Sequence, residues 1–230
     1  LKIEPSRVPG VDLIGPHAAE FEDALKLLLG SEPDETLNLA GKFSVIVRNG
    51  TRRVIALLGV RFDMVGESGR KYSVVHYADT LRNPEKADLI PGGMRFVCAE
   101  PLYTDLVLRQ RISRRASDQR ARMNLDNLAR AREITVSLDC AAFDDGQFAG
   151  PDSLGAFERL GSDRKQEIEF LSEFLQPGAR IETLLATAMD DGEKARRVLA
   201  KHLQQGLLAG GAPEAISRAR SYRPRITLFR

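Results

Sequence analysis

The chain is short of the residue types from which recognisable chemistry is built. It has 2 cysteines and 3 histidines in 230 residues. Cys98 and Cys140 lie too far apart for a compact CxxC redox or zinc motif. His17, His76 and His202 are scattered over three separate segments, where a structural imidazole is the simplest reading. No HExxH, GxxxxGKS/T or GxGxxG occurs, so zinc-protease, P-loop and dinucleotide readings lose their anchors. A GxSxG nucleophile elbow is also missing. No apolar run approaches the ~20 residues of a membrane helix. Charge of one sign is lacking too: 34 basic against 32 acidic residues leave a net +2, which gives no global field for a polyanion. There is no low-complexity segment and no 20–50-residue repeat period. These absences yield no catalytic residue and no cofactor to name.

What is present is strand patterning. Residues 42–63, KFSVIVRNGTRRVIALLGVRFD, contain two apolar runs joined at Asn49-Gly50. Asn-Gly supplies the positive φ angles of a tight turn, so the pair predicts a hairpin. In the second run Val54, Ala56, Leu58, Val60, Phe62 and Met64 alternate with Arg53, Ile55, Leu57, Gly59, Arg61 and Asp63. Period two puts the first set on one face. Gly66-Glu67-Ser68-Gly69 marks a second turn, residues 72–77 a further strand, and Pro91-Gly92-Gly93 a bend into residues 94–98. Residues 103–112 fit another strand, and residues 134–143 a clear one ending at Asp144-Asp145-Gly146. Short strands at this spacing predict a sandwich of two antiparallel sheets.

Helices flank the strands. Residues 17–29 read as a helix between Pro16 and Gly30. Beyond Gly150 the apolar period lengthens to about 3.6. Ser162 can cap a helix carrying Ile168, Leu171, Phe174 and Leu175 that stops at Pro177-Gly178. Ile181, Leu184, Leu185 and Ala188 stripe a second helix, and Val198, Leu199, His202 and Leu203 a third. Gly210-Gly211 is a break, Pro213 opens a short helix, and residues 226–229 fit a last strand. The predicted organisation is an N-terminal arm and helix (1–35), a sandwich (36–152), and a helical segment (153–230) packed on it.

Period two carries Cys98 after Met94 and Phe96, and Cys140 after Ile134, Val136 and Leu138, so both are expected to point inward. They are then either buried reduced thiols or one disulfide between two strands, which would require an oxidising compartment. Asp139, Asp144, Asp145 and Asp152 crowd a glycine-containing stretch, and carboxylate loops of this kind suit hard cations. Asp144, Asp145 and Asp152 are the candidate metal ligands. Their spacing departs from the calcium-loop pattern, and Asp and Gly at a strand end are first of all turn formers. Arg109, Arg111, Arg114, Arg115, Arg120 and Arg122 form the candidate binding segment, since arginines grip phosphates bidentately. The stretch lacks the aromatic residues of nucleic-acid grooves. Asn49-Gly50-Thr51 fits the N-glycosylation pattern, although a turn explains it more simply.

The segments KFSVIVRNGTRRVIALLGVRFDMVGESGR, LIPGGMRFV and ITVSLDCAAFDDGQFAGPD resemble parts of bacterial proteins with an immunoglobulin-like sandwich, a family without an assigned activity. The resemblance covers residues 37–152, and many of those proteins look exported. It implies a mainly β fold with α, namely an immunoglobulin-like antiparallel β-sandwich plus an N-terminal helix and a helical C-terminal segment. A chain beginning at Leu1 rather than Met fits a removed export signal or a trimmed N-terminus. The expected function is non-enzymatic binding, assembly or scaffolding in the periplasm or outside the cell, with a protein or glycan as partner. The alternatives are polyanion binding through residues 109–122 and a hydrolase assembled from dispersed carboxylates.

Overall fold

The structure, a computed structural model, describes residues 1–30, 33, 35–80, 88–101, 103, 123–190 and 193–222. The chain divides into two compact units, one ending at Leu154 and the other starting at Gly155. The fold mixes α and β. No helix among the described residues is long and apolar enough to cross a membrane.

In the first unit the strands are β1 (Lys2–Ile3), β2 (Val11–Ile14), β3 (Ser44–Asn49), β4 (Ile55–Val65), β5 (Lys71–Asp79), β6 (Met94–Cys98), β7 (Glu133–Phe143) and β8 (Phe148–Ala149). Helices α1 (Phe21–Leu29) and α2 (Glu35–Gly41) lie between β2 and β3, and α3 (residues 123–129) precedes β7. Among the described residues the strands form two sheets. One runs β2-β3-β6, antiparallel throughout. The other runs β7-β4-β5, with β8 antiparallel and β1 parallel along β7. The N-terminal arm is therefore not an appendage, because its two short strands belong one to each sheet. Val45 and Val47 of the small sheet, Val60, Phe62, Val136 and Leu138 of the large one, and Phe21 and Leu25 of α1 share one hydrophobic cluster.

The hairpin expected at Asn49-Gly50 does not form. β3 pairs with β2 and β6, whereas β4 pairs with β5 and β7, so the chain changes sheets between them. Long-range bonds decide this. The Asn49 N–H donates to the Gly93 carbonyl at 2.9 Å, and the Gly92 N–H to the Asn49 carbonyl at 2.7 Å. The Gly50 N–H is taken by the Gly10 carbonyl at 2.8 Å. Gly50 is not among the positive-φ glycines, so the tight-turn geometry is absent. The Asn49 side chain holds the corner instead. Fully buried, its Nδ2 donates to the carbonyls of Arg53 (2.8 Å) and Leu89 (2.9 Å). Its Oδ1 accepts from the Thr51 N–H (3.0 Å) and hydroxyl (2.6 Å). An amide so enclosed is no glycosylation acceptor. The true hairpin is the next turn, where Gly66 N–H donates to the Arg70 carbonyl at 2.8 Å between β4 and β5.

Strand β7 carries one extra residue. Val60 faces Leu138 and Gly59 faces Cys140, which leaves Asp139 as a bulge. A bulge shifts the period-two pattern by one. Ile134, Val136 and Leu138 are in the core cluster, and so are Ala141 and Phe143, but Cys140 and Ala142 are not. Cys140 thus turns to the opposite face, against Gly59 and Tyr77: a Cβ built on Gly59 would lie 2.7 Å from the Cys140 sulfur and 3.0 Å from the Tyr77 ring. A register shift between Ile55 and Leu57 acts likewise on β4, where Ile55 joins the core in place of Val54 and Ala56.

Both cysteines are free thiols. Cys98 pairs with Ser44 across the small sheet, and its thiol donates to the Ala40 carbonyl of α2 at 3.7 Å. Burial pushes that thiol up to about 11. Cys98 belongs to the core cluster whereas Cys140 does not, and no disulfide joins them.

In the second unit α4 (Ala156–Phe174), α5 (Ile181–Asp190) and α6 (Lys194–Ser221) enclose their own core of Phe170, Phe174, Leu185, Leu199, Leu203 and Ala215. α4 starts at Ala156, so Ser162 lies inside it rather than capping it. α6 is two helical pieces that meet at Gly210 (φ −151°) and Gly211 (φ 69°), with Pro213 just after. The second piece folds back on the first: a Cβ on Gly206 would lie 3.2 Å from the Ala215 Cα.

Candidate functional site

The bulge brings together residues that a regular strand would hold apart. Adjacent side chains on a strand point to opposite faces, yet Asp139 and Cys140 each direct a ligand atom to one place, where Asp152 joins them. The three atoms lie within 4.8 Å of one another. The loop after β8 supplies Asp152 by passing close over the bulge. At Gly150, with φ 114°, a Cβ would lie 2.4 Å from the Asp139 carbonyl oxygen and 2.8 Å from the Cys140 Cα, so only glycine fits. Asp152 itself is left-handed at φ 51°. Its N–H donates to the Asp139 carbonyl at 3.0 Å, and the Ser153 N–H donates to Asp139 Oδ1 at 3.1 Å.

Asp139 is only 1% exposed, and its second carboxylate oxygen, Oδ2, is buried without a hydrogen-bond partner. A buried orphan oxygen on a carboxylate is costly. Arg61 attracts Asp139 through space. Its own donors go elsewhere, with Nε 2.9 Å from both oxygens of Asp63 and one terminal nitrogen 3.3 Å from the Ser73 hydroxyl. That hydrogen bonding, opposed by burial and aided by the charges of Asp63, Asp139 and Glu4, holds the guanidinium above its ordinary value.

Asp144 and Asp145 are not part of this cluster. Asp144 accepts from the Val54 N–H at 3.3 Å, and Asp145 pairs with Arg53 at 3.2 Å. The Gln147 N–H bond, opposed by slight desolvation and aided by Arg53, holds the Asp145 carboxyl below its usual range. Arg53 also touches the Gln147 amide oxygen and stacks 3.7 Å above the Phe143 ring. These two carboxylates fasten the β7–β8 turn to the corner where the chain changes sheets. Their role here is turn structure.

Arg109, Arg111, Arg114, Arg115, Arg120 and Arg122 lie outside the described residues, as do 104–112 and 226–229 of the expected strands. Each histidine sits apart. His17 lines a groove of ≈ 820 Å³ with Phe21, Leu25 and Phe43. His76 bonds the Ala99 carbonyl at 3.1 Å and meets Phe62 edge-on at 5.4 Å, and His202 tilts against Tyr222 at 5.9 Å. Sequence reasoning named Asp152 and considered Asp139; it expected Cys140 to be buried, which it is, but on the face of the core cluster, which it is not. The one available signal was the jump from Leu138 to Ala141 and Phe143 in the apolar pattern. No family model, curated protein or solved structure matches the chain.

Proposed function

We propose that the first unit is an immunoglobulin-like module that works by binding or assembly rather than catalysis, outside the cytoplasm, with the helical unit as its appendage. One observation carries the reading: the strand order. In such sandwiches the second strand lies beside the fifth, the third beside the sixth, and the chain changes sheets between. Here β2, β3 and β6 take the places of strands A, B and E. β4, β5, β7 and β8 take those of C, C′, F and G.

The contact surface this arrangement favours is β5, which pairs only with β4 among the described residues. Its outer edge offers backbone donors and acceptors to an added strand of a partner protein. Val74, Val75 and Tyr77 are half-buried and Tyr72 is 41% exposed, so the edge has apolar flanks. The test is photo-crosslinking in the native cell from Val75, with Glu169 on α4 as the control position. One extracytoplasmic protein captured from Val75, and lost when Ser73→Pro removes a backbone donor from the same outer edge, supports the proposal. Crosslinks confined to cytoplasmic proteins, or equal from both positions, would overturn it.

A further inference from the structure

We propose that Asp139, Cys140 and Asp152 form a binding site for a divalent ion of the zinc class, one that accepts both thiolate and carboxylate ligands. Three features point to a ligand here. The bulge and the Gly150 loop hold two carboxylates and a thiol within 4.8 Å on a single face. Asp139 Oδ2 is buried and has no hydrogen-bond partner, which a metal ion would satisfy. Asp152 is only half-buried, so an ion can enter from the loop side.

The donor set selects the ion. Calcium and magnesium want six or more oxygens, whereas zinc is content with three protein ligands of mixed S and O type plus one further position. Bonds of ~2.3 Å to sulfur and ~2.1 Å to oxygen put tetrahedral donors about 3.5 Å apart. The present spacing, within 4.8 Å, closes to that with shifts of about one ångström. Charge is consistent as well. Two carboxylates and a thiolate around a dication leave one negative charge, and Arg61 faces it through space. Binding releases the thiol proton, so affinity falls as pH is lowered.

The experiment titrates cobalt(II) into the full, reduced, chelator-treated chain and reads the near-ultraviolet thiolate-to-cobalt charge-transfer band, with zinc as competitor. The expected result is a band saturating at one equivalent and abolished by zinc. Cys140→Ser removes the band, and Asp139→Asn and Asp152→Asn each weaken binding about tenfold or more. Asp144→Asn and Cys98→Ser leave it unchanged. Should Cys140→Ser fail to fold, the pair Asp152→Asn and Cys98→Ser carries the decision, since Asp152 is the more exposed ligand. No band at millimolar cobalt, a band lost with Cys98→Ser, or a band indifferent to Asp152→Asn would overturn the proposal.

Discussion

Replacing Asn49 by alanine removes four hydrogen bonds from the corner where the chain leaves one sheet for the other. Two of the groups keep another partner. The Leu89 carbonyl still accepts from the Ile55 N–H at 3.0 Å, and the Arg53 carbonyl, 3.1 Å from the Thr51 hydroxyl, takes the proton that hydroxyl now gives to Asn49. The Thr51 N–H has no other bond shown and is half-buried. A net ~1 kcal/mol for each of the two bonds to carbonyls, plus ~1–2 for the stranded donor, gives about 3 kcal/mol. Asn49→Asp should cost at least as much, because it turns an oxygen toward the two carbonyls that Nδ2 now serves. The two units need not unfold together, so a single melting curve is a poor reading. Native-state hydrogen exchange of β3, β6 and β7 amides reports the first unit alone. A loss of ~3 kcal/mol raises their globally opened population about a hundredfold. A loss under ~1 kcal/mol, or one equally large in α5 of the second unit, would refute this view of the corner.

Other perturbations address particular contacts. Gly150→Ala forces a Cβ onto the Asp139 carbonyl at a positive φ, so it should lift the loop, cost more than ~1 kcal/mol and abolish the cobalt signature; exchange and titration read both. Gly59→Ala crowds the Cys140 sulfur and the Tyr77 ring. It should cost ~1–3 kcal/mol and speed labelling of Cys140 by a thiol reagent while Cys98 stays protected. Burial raises the Asp63 carboxyl, but hydrogen bonds from Arg61 and Ser73 outweigh it and hold the group below its ordinary 3.8. Its contribution is therefore complete above that value and lost as pH falls through the lowered one. Asp63→Asn should flatten the acid limb of stability below about pH 4, by under ~1 kcal/mol because the pair is exposed. Gly206→Leu wedges apart the two pieces of α6 and should lower protection in the second unit while β7 amides keep theirs.

Local signals were legible where local bonds decide the structure. Pro177-Gly178 and Gly210-Gly211 broke the helices where the sequence put the breaks, because helix ends depend on neighbouring residues. The two-sheet architecture was legible from strand spacing. The pairing was not. Asn49-Gly50 looks the same to a local reading whether it closes a hairpin or turns a corner, and the deciding partners are Gly10, Leu89 and Gly93. β1 and β2, of two and four residues, are too short to show a period. The Asp139 bulge reversed the face of Cys140 because a single inserted residue inverts an alternating pattern. The candidate metal site stayed hidden for that reason.

The immunoglobulin-like reading rests on the chain changing sheets at Asn49, and cross-strand nuclear Overhauser contacts test that directly. The predicted result joins residues 44–48 to 94–98 and residues 57–65 to 133–142, with no ladder between β3 and β4. A continuous ladder from β3 to β4 across Asn49-Gly50 would contradict it.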